Sequence, residues 1–425
     1  MKHLIASVIV VASIIARVEG QDGLSVGLAE IDVTPDPVKK PVWLAGFGKN
    51  RKATKIHDPL MARAVVFAHA DKKIAIVSVD VVGLFNDVAQ RVRKELPGYD
   101  YVLVSSTHNH EGPDTMGLWG PNLFTSGIDG EYMKRLQAGI VKAARDADKA
   151  RTPARASIGA AKAPELLHDG REPYVKHDEL VALRFVDGRD KTVGVVVQWN
   201  CHPETLSSKN TEISADYVGY TVAHLRKKYD CPGVYLTGTV GGLMTSLRVE
   251  VKDDAGKPLA DGTFEKTERY GKLVGSLAER ALADAKPITL TPMRARSQSF
   301  FMPIDNQFYI LGFSLGILKR DAYLWKGDPL KAPPIDDKNT IIDPKTRLCI
   351  KSEIGWLKLG DLEIAAIPGE IYPELVLSKV QDPADKASDF PDAPIEPGIY
   401  AQMKSKHRML IGLANDEVGY IIPKR

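Results

Sequence analysis

The chain has 425 residues, with 57 Lys and Arg against 54 Asp and Glu and three cysteines. A formal net charge of +3 argues against a nucleic-acid binder that works by neutralising phosphates. Three cysteines are too few for a disulfide scaffold, although an exported protein could join two of Cys201, Cys231 and Cys349 and leave one thiol free.

The first segment reads as a leader. Lys2 and His3 precede an apolar run from Leu4 to Ala16, and Val18-Glu19-Gly20 offers an exit before Gln21. A short apolar run with a basic start and a small-residue exit is the pattern of a secretory signal. Residues 1–20 are therefore expected to be removed, leaving a secreted or periplasmic protein. No later stretch approaches the roughly 20 apolar residues of a membrane-spanning helix. The remaining length, about 400 residues, could make two ordinary domains or one large α/β body and is ample for a substantial core.

Beyond the leader, β-rich apolar runs alternate with helical segments, which predicts an α/β fold. The expected strands are Leu24–Val33, Lys73–Val82, Tyr101–Ser106, Leu180–Phe185, Val193–Trp199, Gly233–Thr237, Arg294–Phe300, Leu362–Ile367 and Met409–Ala414. The expected helices are Asn86–Leu96, Gly130–Ala150, Asp216–Tyr229, Phe264–Ala285 and Ile371–Val380. Within Gly130–Ala150, Tyr132, Leu136, Ile140 and Ala144 recur at helical spacing and predict a core-facing stripe. The run VGVVVQW is apolar on both faces, so its sheet is expected to be covered on both sides. Together these features predict mixed β-sheets covered by helices in one large domain. The stretch 319–345, rich in Pro, Gly, Asp and Lys, reads as a loop over the body.

Two strand exits carry imidazoles. The buried-strand pattern YVLV runs into Ser105-Ser106-Thr107-His108-Asn109-His110-Glu111-Gly112-Pro113. Alternate residues of a strand share a face, so His108 and His110 converge if the extended geometry persists. Histidine and carboxylate donors suit a zinc ion; the competing reading is a pair of hydrogen-bonded histidines in a polar loop. The second exit is Trp199-Asn200-Cys201-His202-Pro203-Glu204, where His202 offers another imidazole and Cys201, on the opposite face, reads as a buried structural thiol. Downstream, Ser214 or Asp216 reads as a helix cap, and Asp216 is an alternative partner for a ligand histidine. Glu370, after the strand ending near Ile367, either complements a helix dipole or reaches a metal. Tyr420 is by default a packing aromatic. Candidate groups at the carboxyl ends of several strands match where α/β sheets place their sites.

These segments together resemble the neutral/alkaline (non-lysosomal) ceramidase family, in particular its N-terminal catalytic domain. The resemblance begins with Gly27–Pro35 (GLAEIDVTP) and continues through Ala45-Gly46-Phe47-Gly48, Ile56–Leu60 and Ala62-Arg63-Ala64. THNHEGP is similar to the family's THTHSGP, and WNCHPE followed by ISADYVGY to its second histidine segment. PGE (368–370) and GLANDEVGY (412–420) correspond to the remaining metal-site segments. Carried over by position, the resemblance implies a ceramidase-like domain over 21–425 with zinc held by His108, His202, Glu370 and Tyr420. His110 would stand beside the metal as a catalytic group. The implied reaction is amide hydrolysis by metal-activated water, on ceramide or another N-acylated small molecule, free or membrane-presented. Met244 stands where the family has a serine. The alternatives are a zinc hydrolase acting on acylated sugars or glycans, and a non-catalytic secreted binding protein on the same fold.

Overall fold

The computed structural model describes residues 23–335 and 347–425; the expected leader, 1–20, lies outside them. Side-chain alternation along the strands decides how the layers stack. In the first sheet, strands run in the order Tyr101–Ser106, Lys72–Val79, Met61–His69, Ser25–Asp32 and Thr152–Pro153. One of its faces presents Val26, Leu28, Val65, Phe67, Ile74 and Leu103 to a central core. The other presents Ala64, Val66, Ala75, Val77, Val102 and Val104 to the helices Asn86–Lys94 and Gly130–Lys149. The expected stripe of Tyr132, Leu136, Ile140 and Ala144 is buried there.

The second sheet repeats the arrangement in the order Gly233–Thr237, Thr192–Trp199, Glu179–Val186, Arg155–Lys162 and Lys286–Ile288. Ala156, Ile158, Val181, Phe185, Val196 and Leu236 face the central core. Leu180, Ala182, Val195, Val197 and Tyr235 face the helices Asp216–Tyr229 and Phe264–Ala283. The result is helix, sheet, sheet, helix, and it explains why VGVVVQW is apolar on both faces. A third sheet, Met293–Pro303, Leu348–Leu359, Leu362–Ala366 and His407–Ile411, adds Leu357, Ile364, Met409 and Ile411 to the same central core. All three sheets thus bury one shared interior, as expected for one large α/β domain.

Each sheet contains one parallel pair: Lys72–Val79 with Tyr101–Ser106, Thr192–Trp199 with Gly233–Thr237, and Leu362–Ala366 with His407–Ile411. The chain leaves these pairs on the side where the sheets meet. There Thr237 Oγ1 donates to Thr107 O (2.8 Å), Ser105 Oγ donates to Gly412 O (2.9 Å), and Asn415 Oδ1 accepts from Val104 N (3.0 Å).

Several elements end earlier than expected. The strand beginning at Lys72 stops at Val79, and the carbonyls of Val81 and Val82 turn to other partners. The expected helix Ile371–Val380 is only Pro373–Leu377. Tyr372, the residue before Pro373, is held in the extended region and bounds the helix, while Glu370–Ile371 pairs in parallel with Tyr420–Ile421. The strands Met61–His69, Arg155–Lys162 and Leu348–Leu359 and the helix Gln307–Ser314 add to those read from the sequence. Of the excursion 319–345, the part up to 335 is irregular except for Tyr323–Leu324, which pairs with Cys349 and Leu348, and the rest lies outside the described residues. All three cysteines are unbridged and buried. No helix among the described residues is long and apolar enough to cross a membrane.

One buried ion pair braces the first sheet next to the strand exits. Arg63 Nη1 lies 2.7 Å from both oxygens of Asp80, and Met61 N donates to Asp80 Oδ2 at 2.9 Å. Both side chains are buried. Asp80→Ala strands the guanidinium in the interior, which costs about 3–5 kcal/mol. Urea denaturation should therefore give a loss of unfolding free energy of that size. A loss below about 1 kcal/mol would mean that Glu30, whose Oε2 is 4.0 Å from Arg63 Nε, takes over as counter-ion.

Candidate metal centre

His108 lies just past the end of Tyr101–Ser106, and its backbone is in the left-handed region at φ 67°. The extended geometry therefore does not persist to His110. The two histidines converge through this kink rather than through strand alternation, with ring centroids 4.9 Å apart. The kink is held by the prematurely released strand: Val81 O accepts from both His108 N (3.1 Å) and Asn109 N (3.2 Å). Val82 O is 2.7 Å from His108 Nδ1. A carbonyl can only accept, so it fixes Nδ1 as the protonated nitrogen and leaves the Nε2 lone pair directed into the site.

His202 repeats this logic from the second sheet. Its Nδ1 lies 2.8 Å from Met244 O, and its backbone N donates to the same carbonyl at 2.9 Å. Its Nε2 is 3.1 Å from Glu370 Oε2, and His108 Nε2 is 3.4 Å from the same oxygen. Two ligand atoms, each about 2.0–2.1 Å from a tetrahedral zinc, stand about 3.3 Å apart. The spacing of these three atoms fits such a shell. Tyr420 sits directly opposite Glu370 in the parallel pairing and is half-exposed. Burial and then the charge of Glu370 raise its phenol well above the ordinary range.

The electrostatics are those of a cation site. Burial alone would lower His202, but hydrogen bonding to Glu370, with the field of Glu204, outweighs it and lifts the imidazole to about 9. Burial would raise Glu370, but His108 and His202 hold it well below the usual carboxylate range. A protonated imidazole locked to a carboxylate is an arrangement that a divalent cation can take over by displacing the proton.

His110 faces a different partner. Its Nδ1 is 3.3 Å from Glu204 Oε2, close enough for a hydrogen bond but not aligned as one, since Nδ1 has no directed acceptor. Such contacts tighten when substrate binds. Burial dominates here and lowers His110 to about 4. Burial would raise Glu204, but His110, His202 and the hydroxyl of Thr245 outweigh it and bring the carboxyl down to about 2. At neutral pH the pair is a neutral imidazole beside an ionised carboxylate. Reading the sequence assigned Glu204 no role; the only signal was an acid two residues after a strand-exit histidine. A ring of His108, His110 and His202 donor atoms within 4.8 Å of one another is nevertheless present, so His110 stands at the edge of any bound ion.

Behind His110 the chain passes very close. Gly46 has φ 91°, and a β-carbon built on it would lie 2.2 Å from His110 Cγ. Gly46→Ala must therefore push the imidazole aside while leaving His108, His202 and Glu370 in place. A displacement of about 1 Å can cost about a hundredfold in rate. The expected outcome is a fall of that order in kcat with bound metal unchanged, measured by steady-state assay and metal analysis.

Other sequence-based expectations resolve differently. Asp216 does not orient a ligand histidine; its carboxylate accepts from Leu206 N (3.1 Å) and Tyr217 N (2.6 Å), and backbone carbonyls orient the imidazoles instead. Ser214 Oγ accepts from Asp216 N at the helix start (3.0 Å). Glu111 points away from the site into a buried pair with Arg51 (2.6 Å) and a bond from Asn210 Nδ2 (2.7 Å). Cys201 is fully buried, receives a bond from Tyr270 OH (3.2 Å), and burial pushes its thiol up. Met244 is also fully buried and contributes its carbonyl rather than its side chain. Leu118 and Trp119 pack against a cluster with Phe85, Met116 and Phe313, whereas Phe124 is exposed.

The chain is similar to known proteins in sequence and in fold. Residues 24–167 match the family described as neutral/alkaline non-lysosomal ceramidase, N-terminal. The chain is 24% identical over 277 residues to the neutral ceramidase of Pseudomonas aeruginosa, covering 58% of this chain and 40% of that protein. It is 26% identical over 300 residues to the neutral ceramidase of Mycobacterium tuberculosis, covering 62% of this chain and 46% of that one. These alignments therefore span less than half the length of either relative. The crystal structure of the Pseudomonas aeruginosa enzyme superposes with a TM-score of 0.68 at 17% identity, over 94% of this chain and 68% of that one. A structure described as ceramidase complexed with C2 superposes at 0.66, with 16% identity and coverage of 94% and 69%. The chain thus resembles the family in sequence over residues 24–167 and shares the fold over most of its length. His108 and His110 lie inside the matched segment. His202, Glu370 and Tyr420 lie beyond it and join the site through their convergence in space.

Proposed function

We propose that this chain is an exported, zinc-dependent hydrolase of ceramidase type that cleaves an amide bond in a ceramide-like or other N-acylated lipid. The observation that carries the reading is the meeting of His108 Nε2 and His202 Nε2 on one oxygen of Glu370, at 3.4 and 3.1 Å, with both Nδ1 atoms committed to backbone carbonyls. Imidazole and carboxylate donors in this arrangement fit zinc, with Tyr420 beside Glu370 as the fourth group. The ceramidase names of the relatives support the substrate class, and the apolar run Leu4–Ala16 supports export.

When bound, zinc supplies Lewis acidity, which polarises a scissile carbonyl and acidifies water. The chain supplies the rest. Glu204 faces the Nδ1 side of His110 at 3.3 Å, which leaves Nε2 to accept a proton from the attacking water and deliver it to the departing nitrogen. Because His110 is neutral at pH 7, it starts the cycle as a base. Phe47, edge-on to His110 with ring centroids 4.9 Å apart, and Gly46 wall in the imidazole and limit the water around it.

Purified mature protein should retain about one zinc per chain and release fatty acid from a short-chain ceramide. A chelator should abolish the release and added zinc restore it. Turnover that is indifferent to chelation, in protein that retains no metal, would sink the proposal. Met244 favours a second reading. Its side chain is sealed in the core, and the neighbouring Thr245 hydroxyl is turned to Glu204. A substrate other than ceramide, such as an acylated sugar, would then be preferred, and release of acetate or sugar in the same screen separates the two.

A further inference from the structure

A second charged cavity, of about 590 Å³, opens between the strand Arg155–Lys162, the segment leading into Glu179–Val186, and the edge strand His407–Ile411. Lys162, Lys176, Lys286, Lys379, Lys406 and Arg408 line it. Among the described residues none of the six pairs with a carboxylate. Lys176 Nζ donates to Pro164 O (3.0 Å), and Arg408 Nη1 donates to Tyr400 O (2.8 Å). Asp178, Glu179 and Asp284 share the lining, so six cations face three carboxylates. Elsewhere on this chain exposed lysines commonly sit on acids, as Lys72 does on Asp100 and Lys142 on Asp146. Here the cations are left without such partners, a local excess of positive charge that favours an anion.

The floor of the cavity is built rather than open. Buried His177 stands edge-on to Tyr400, with ring centroids 5.5 Å apart, and its Nδ1 lies 3.0 Å from Thr239 Oγ1. Arg408 lies over the other side of the Tyr400 ring, 5.2 Å from its centroid. Burial, with the fields of Lys162 and Lys379, lowers His177 to about 4.

We propose that this cavity binds a small phosphate- or sulfate-bearing anion, held by the ammonium groups of Lys162, Lys286, Lys379 and Lys406 and by the guanidinium of Arg408. Planar guanidinium and clustered ammonium groups are the donors that such oxyanions select. The site does not depend on the metal reading. The phosphate could come as a free anion or on a lipid headgroup, and two probes distinguish these sources. Inorganic pyrophosphate is titrated calorimetrically into the full chain at about 50 mM salt, where screening is weak. Vesicles of phosphatidylcholine, with and without phosphatidic acid, are tested by co-sedimentation.

The expected result is saturable binding of pyrophosphate, of phosphatidic-acid vesicles, or of both. It should weaken at least tenfold in K379Q/K406Q and persist in H202A, in which the histidine cluster is broken. Thermal denaturation of K379Q/K406Q, matching the parent, separates a lost site from a lost fold. If that double variant unfolds early, the single variants K286Q and K406Q, each expected to weaken binding severalfold, carry the test. The proposal is overturned if neither probe binds, if binding is equal in the lysine variants, or if it vanishes in H202A while surviving in K379Q/K406Q.

Discussion

His202→Ala is expected to remove both the bound zinc and hydrolysis. Loss of a group that merely orients a metal-bound imidazole costs about 10–100-fold in affinity. Loss of the imidazole itself should exceed that, because Glu370 Oε2 then faces one imidazole instead of two. Metal content after dialysis should fall from about one per chain to background, and turnover should fall with it. Retention of zinc with turnover within a few-fold of the parent would exclude His202 from the ligand set. The Glu370→Gln variant serves as a partner test, since a neutral amide keeps the shape but not the charge that raises His202.

The second large effect separates His110 from the ligands. His110→Ala should leave zinc content unchanged and lower kcat by about 10²–10⁴-fold, the usual contribution of a positioned acid or base. Glu204→Gln keeps the volume and removes the charge 3.3 Å from His110 Nδ1. A fall of about 10–100-fold is expected, by analogy with partners that orient imidazoles. Zinc lost together with activity in His110→Ala would make His110 a ligand instead, consistent with its place among the three clustered histidines. Metal analysis beside the rate measurement distinguishes the two outcomes.

The parts of the site legible in the sequence are those whose signal is local. His108 and His202 each follow an apolar run, and a strand exit followed by Gly-Pro or Pro advertises a turn. The layered fold was legible for the same reason, since alternation and two-faced apolar runs state which strands are covered. The remainder depends on partners distant in sequence. The left-handed backbone of His108 exists because Val81 and Val82 leave their ladder to hold it, and nothing in HNH requires that conformation. The carbonyl of Met244 orients His202, but a carbonyl has no letter in the sequence, so the nearby Asp216 looked like the better candidate. Glu204 acquires meaning only because the fold brings its carboxylate within 3.3 Å of His110 Nδ1. The expected strands Lys73–Val82 and Met409–Ala414 each overran the observed ends, Val79 and Ile411, by three residues, and those residues turn towards the site.

Convergence of the three parallel strand pairs has a thermodynamic consequence. His108, His202 and Glu370 follow strands of three different sheets, Tyr101–Ser106, Thr192–Trp199 and Leu362–Ala366, so their donor atoms come within a few ångströms only when all three sheets are assembled. An ion bound there sees the native state and almost nothing in the unfolded chain, and it adds RT ln(1 + [L]/Kd) to stability, about 4 kcal/mol at a thousandfold excess over Kd. Zinc would then act as a late clasp on the whole molecule. The apparent melting temperature should rise with free zinc concentration, and partial unfolding of any one sheet should release the ion before the other two come apart.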